Sequence, residues 1–156
     1  MTGFMWFGGM AGAVAAGMAV VIAIRWQRRR AGSLLALACQ RFRLRREGLE
    51  AKFVRLATQS GKPRGLSWAD CSFADEVAFA RDRATGQLRA FVAVTVRFEA
   101  IPDGGLEENP NVDDLREATA IFLFDGQEWR TDGRAIFNLS PLQTIEHFRH
   151  QLQLAK

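Results

Sequence analysis

"LRAFVAVTVRFEA", residues 88–100, alternates without a break. Leu88, Ala90, Val92, Val94, Val96 and Phe98 fall on one side, and Arg89, Phe91, Ala93, Thr95, Arg97 and Glu99 on the other. A period of two marks a β-strand, and an apolar row opposite a mixed row marks one half-buried in an antiparallel sheet. The rest of the distal chain can be read as what such a strand requires, namely neighbours and a cover.

The neighbours lie on both sides. "EVAFARDR" (76–83) leads into the strand through "ATGQ" (84–87), where Gly86 is free to take positive φ, so the two form a hairpin. "LSWADCSF" (66–73) reads as a further strand. Downstream, "ATAIFLF" (118–124) turns through Asp125-Gly126-Gln127 into "EWRTDGRAIF" (128–137), a second hairpin. The sheet is thus expected over 66–137 with about four to five strands, an ordinary number for a small domain. Between the hairpins "IPDGGLEENPNVDD" is acidic and rich in Pro and Gly, and an acidic loop is expected over 101–115.

The cover is helical. Over 33–59, Leu35, Ala38, Phe42, Leu49, Phe53 and Leu56 fall in one apolar stripe at the helical period, and Ser60-Gly61 followed by Pro63 stops the helix. Ser140-Pro141-Leu142-Gln143 makes a capping box, so a second helix is expected over 141–154, with Leu142, Ile145, Phe148 and Leu152 on its apolar face. The class is α+β: a long amphipathic helix packed on a curved antiparallel sheet, closed by a C-terminal helix. In layout alone, over residues 33–156, this is similar to cystatin-like and NTF2-like rolls. Such a likeness of fold does not carry a function.

Upstream the character of the chain changes. Gly3 to Ile24 is a run of 22 residues without a charge. As a helix it spans about 33 Å, against a bilayer core of about 30 Å. Residues 1–32 are therefore expected to be a single transmembrane anchor with a basic flank, rather than a cleaved signal peptide, whose positive charge precedes a shorter apolar stretch. Here the charge follows, in Arg25, Arg28, Arg29 and Arg30. The positive-inside rule then places the N-terminus outside and the remaining residues in the cytoplasm. Gly8, Gly12 and Ala16 recur every four residues, the spacing at which two helices can approach closely as a homodimer.

Residues 1–64 carry a balance of +10 and residues 65–156 one of −6, so the high pI belongs to the first part. The basic residues Arg25, Arg28, Arg29, Arg30, Arg41 and Arg45 are candidates to face anionic lipid head groups. Nucleic acid is the competing partner for a basic stretch, and is not expected because no nucleic-acid module follows. Cys39 and Cys71 are too few and too far apart for a metal framework, and are expected to be thiols in a reducing compartment.

No catalytic constellation stands out, and neither a cofactor nor a metal is expected. His147 and His150, with Glu146, would still need a further ligand to hold a metal. "SGKPRG" (60–65) follows a helix and lacks the phosphate-loop pattern, so it reads as a cap and turn. Trp129, Asp132, Arg134 and Asn138 are the one group that could line a ligand pocket at the end of a roll. The competing reading makes Asp132-Gly133 a turn, packs Trp129 and pairs Arg134 with a nearby acid. The expected function is a membrane-anchored, non-enzymatic module that binds an unknown protein partner. A small-ligand or enzymatic domain with a pocket at Trp129, Asp132 and Arg134 is the alternative, and a nucleic-acid binder ranks lower.

Overall fold

The computed structural model describes residues 6–60, 64–106, 108 and 114–155, with the backbone alone at 6–16 and 27–31. The chain falls into two compact units, Met1–Gln40 and Arg41–Lys156. Its elements in order are α1 (Trp6–Gln59), β1 (Leu66–Asp82), β2 (Leu88–Ala100), β3 (Arg116–Phe124), β4 (Trp129–Arg130), β5 (Ala135–Phe137), α2 (Pro141–His147) and β6 (Leu152–Leu154).

In the first unit only Gly17–Trp26 and Gly32–Gln40 carry described side chains. Of the expected anchor run, residues 3–5 lie outside the described residues, and residues 6–16, Gly8, Gly12 and Ala16 among them, are described as backbone alone. Among the described residues no helix is long and apolar enough to cross a membrane.

The second unit is α+β, and its strands form one open antiparallel sheet in the order β4-β3-β2-β1-β6, with β5 also paired to β3. The row read from β2 is the centre of the core: Leu88, Ala90, Val92, Val94, Val96 and Phe98 are all buried. Above that face lie Phe42 and Phe53 of α1. Phe42 meets the rings of Phe79, Phe122 and Trp129 at centroid distances of 5.0–5.9 Å. Phe53 meets those of Trp68, Phe73 and Phe122 at 5.8–6.0 Å. Offset and edge-on pairs of this kind add about 0.5–1.5 kcal/mol each beyond the area they bury. On the opposite face Ala80, Phe91, Ile121, Ile145 and Leu152 form a smaller cluster, with Phe148 packed against it.

Three elements differ from the sequence reading. First, the segments 66–73 and 76–83 are one 17-residue strand, β1, because two bulges keep both halves paired to β2. Ala69 is inserted between Trp68 and Asp70, and Ala74, Asp75 and Glu76 together stand opposite Ala93. Bulges bend and twist a strand, which lets it follow a helix laid across the sheet. Second, the strand expected over 128–137 is broken into β4 and β5. At the break Gly133 has φ +75° and passes so close to α1 that a Cβ on it would lie 2.7 Å from the Ala57 nitrogen. Third, the last helix ends at His147 rather than continuing to 154. The Phe148 N–H donates to both Thr144 and Glu146, tightening the final turn, and Leu152–Leu154 pairs with β1 at Ala80–Asp82. Pairing covers backbone groups that an edge strand leaves open. Leu152 is buried as expected, whereas Leu142 is exposed.

Both hairpin turns are built on an aspartate. The Asp82 Oδ1 accepts the N–H groups of Ala84 and Thr85 at 3.0 Å each, and Arg89 reaches its Oδ2 at 2.6 Å. The Asp125 Oδ1 accepts those of Gln127 and Glu128 at 2.9 and 2.7 Å, and Arg130 lies 2.8 Å from its Oδ2. The Thr85 N–H, with the Ala84 N–H, the Thr85 hydroxyl and Arg89 behind it, holds the Asp82 carboxyl below the ordinary aspartate value of 3.8. The Glu128 and Gln127 N–H groups, with Arg130, do the same at Asp125. A carboxyl whose folded pKa is depressed stabilises the fold above its unfolded pKa, and that contribution disappears as pH falls through the folded value. The urea midpoint of the wild type is therefore expected to fall as pH drops below about 4. Asp82→Asn/Asp125→Asn should titrate less steeply over that range. Parallel curves for the two proteins would show that other carboxyls control the acid transition.

Candidate functional site

The residues singled out in the sequence occupy three places. The basic candidates lie along α1. Arg25 is exposed in the first unit, and the side chains of Arg28, Arg29 and Arg30 lie outside the described residues. Arg41 and Arg45 belong to the second unit and are engaged there with the turn between β3 and β4. Arg41 donates to the Gln127 carbonyl at 2.9 Å, and Arg45 meets the Glu128 carboxylate at 3.2 Å. Both side chains remain exposed, with these contacts to protein.

The segment from Trp129 to Asn138 wraps around the end of the sheet. Trp129 is 5 % exposed, its ring packed among those of Phe42, Phe79 and Phe124. Asp132 and Arg134 point to solvent on either side of Gly133, 3.9 Å apart, and Asp132 also accepts the Arg134 N–H at 3.0 Å. An exposed pair at that distance is worth little. Asn138 has φ +62° and donates its backbone N–H to Glu117 at 2.9 Å. That is a role asparagine fills readily, because it tolerates the left-handed region. The four side chains are thus near in sequence and serve separate purposes: one packs, two are solvated, and one shapes the chain before the Ser140 cap.

His147 is exposed at the end of α2 and His150 lies beyond it, so the two do not share a helix face. Glu146 pairs with Arg149 at 3.0 Å. Among the described residues no group of three or more His, Cys, Asp or Glu side chains could hold a metal ion. Cys71 is half-buried, and burial, with the negative charge of Asp70 adding to it, pushes its thiol up to about 11. At neutral pH such a thiol stays protonated and is a poor nucleophile.

A further polar arrangement centres on Arg46 in α1. Its Nε lies 2.6 Å from Glu50 one turn along α1. Its two terminal nitrogens donate to the Asp75 carbonyl at 2.7 Å and to the Ala74 carbonyl. The arginine thereby satisfies carbonyls that the wide bulge of β1 turns away from β2. The Arg-x-x-x-Glu spacing was visible in the sequence; the bulge it holds was not. Compared with protein-family models, curated proteins and solved structures, the chain gives no match.

Proposed function

We propose that this protein is a single-pass, membrane-tethered module without enzymatic activity, its N-terminus outside and residues 33–156 in the cytoplasm, where they bind a protein partner. The observation that carries the tether is the exposure of α1 between Gly17 and Trp26. Met18, Val20, Val21, Ile22, Ile24 and Trp26 are 44–60 % exposed. At about 100° per residue they point to every side of the helix. A helix that is apolar all round needs an apolar surround on all sides, and no amphipathic packing provides one. A bilayer does so for the whole run from Gly3, and Arg25, Arg28, Arg29 and Arg30 then mark its cytoplasmic end. Close to anionic head groups each contributes about 1 kcal/mol.

The binding role is supported by how the helix–sheet space is used. A helix laid over a bulged sheet is similar in layout to cystatin-like and NTF2-like rolls. In this chain aromatic rings from Phe42 to Phe137 occupy that space, and Trp129 is one of them. A filled interior leaves the outer surfaces to act.

A topology reporter tests the tether. Fused after Lys156, it is expected to report from the cytoplasm, and the protein should resist alkaline extraction from membranes. Replacing Arg25, Arg28, Arg29 and Arg30 by Gln should mix the two orientations, because little else in the sequence sets them. Recovery of the wild type in the alkaline supernatant, or an external reporter signal, would defeat the reading.

A further inference from the structure

Within the second unit, α1 has a second apolar face, turned about 150° around the helix from the one that Phe42, Leu49 and Phe53 bury. Leu44 is 78 % exposed, the highest value of any large apolar side chain described. One and two turns further on are Gly48, around which a Cβ would meet nothing within 4 Å, and Ala51, also exposed. Within this unit the stripe follows a seven-residue period, with Leu44 and Ala51 at one position and Arg41 and Gly48 at the other. That is the spacing at which two helices can meet side by side, and its small residues permit close approach. Arg41, the one charge in the series, donates to the Gln127 carbonyl, so its guanidinium is drawn aside to the β3–β4 turn.

We propose that this face takes a second copy of the chain, the two α1 helices running parallel. The charges flanking the stripe select that occupant. Glu47 lies on one flank and Lys52 on the other, five residues apart and both exposed. In a parallel pair, five residues is the offset at which one helix's flank meets the opposite flank of its partner. Each Glu47 then faces the partner's lysine at that position, twice in the dimer. An antiparallel pair or an unrelated apolar partner would not use this spacing. The parallel sense rests on the membrane reading, since two copies anchored in one direction in one bilayer present their helices side by side at raised effective concentration.

The test uses the full-length protein in native membranes and in detergent. Leu44→Cys is expected to form disulfide-linked dimers under mild oxidation, well above the background of Cys39 and Cys71 in the wild type. Arg43→Cys, one residue off the seam, should stay near that background. Glu47→Lys and Lys52→Glu should each weaken dimerisation about five-fold, and the double variant Glu47→Lys/Lys52→Glu should restore it. Residues five apart on one helix are not neighbours, so restoration cannot come from a bond within a single chain. No dimer from Leu44→Cys, equal yields at positions 43 and 44, or a double variant no better than the singles would overturn the proposal. Vesicle flotation of the same samples reads the tether separately: a protein that fails to float while still crosslinking at 44 keeps the seam and loses the anchor.

Discussion

Val94→Asp is expected to leave residues 41–156 unfolded without any denaturant. Val94 is 1 % exposed at the middle of β2, flanked by Ala118 on β3 and by Phe73 on β1, whose ring meets that of Phe53. No basic group lies in that row, so the carboxylate must either be buried charged or take up a proton. Either way the cost is several kcal/mol, against a total stability of about 5–15 kcal/mol for a domain. Circular dichroism and urea melts read the outcome. The neighbouring Thr95→Asp lies on the other face, between Ser72 and Glu117, half-buried and among polar groups. Its cost should be about 1 kcal/mol, from the like charge directly across the strand pair. Equal losses from the two would mean that both faces of β2 are dry at this point, contrary to the arrangement described.

Gly133→Ala should be nearly as damaging, for a different reason. The residue has φ +75°, and an added Cβ would lie 2.7 Å from the Ala57 nitrogen, 2.8 Å from the Leu56 Cβ and 2.9 Å from the Leu56 carbonyl carbon. Two of those three atoms belong to the backbone of α1, which cannot yield as the end of a side chain can. The left-handed conformation costs alanine about 1 kcal/mol, and forcing the helix off the sheet adds about 1–3 kcal/mol. Gly86→Ala provides the control. Its φ is +71°, but nothing lies within 4 Å of the new methyl group, so only the conformational part, about 1 kcal/mol, should be lost. If chemical denaturation gives the two variants the same stability, the close passage of the β4–β5 link against α1 does not hold the helix in place.

These contrasts also explain what could be read from the sequence. The strand at 88–100 was legible because it is central and paired on both sides, so nothing disturbs its period of two. In the sequence β1 reads as two pieces because its inward row runs Phe73, Asp75, Val77, and a carboxylate in an apolar row ends a pattern. In the fold the wide bulge displaces Asp75 outward, and Arg46, 29 residues earlier, holds its carbonyl. No local pattern records a contact of that range. In the sequence β6 reads as the tail of a helix because Leu152 fits the helical spacing of Ile145 and Phe148, and helix and strand alike bury it. What decides between them is the uncovered edge of β1, which exists only once the sheet has formed. The segment 128–138 groups Trp129, Asp132, Arg134 and Asn138 closely in sequence. Its explanation is the passage of Gly133 against Leu56 and Ala57, more than seventy residues away in the chain.

The ring packing beneath α1 gives the protein a spectroscopic signature. The chain has four tryptophans and no tyrosine, so its near-ultraviolet emission comes from indole alone. Trp68, among Phe53, Phe98 and Phe137, and Trp129, among Phe42, Phe79 and Phe124, sit in asymmetric apolar surroundings that shift emission to the blue and generate strong near-ultraviolet dichroism. Trp6 and Trp26 belong to the first unit. One emission spectrum therefore carries two populations, one following the cooperative melting of the sheet and the other the surroundings of the N-terminal helix, and a collisional quencher added to the solvent separates them.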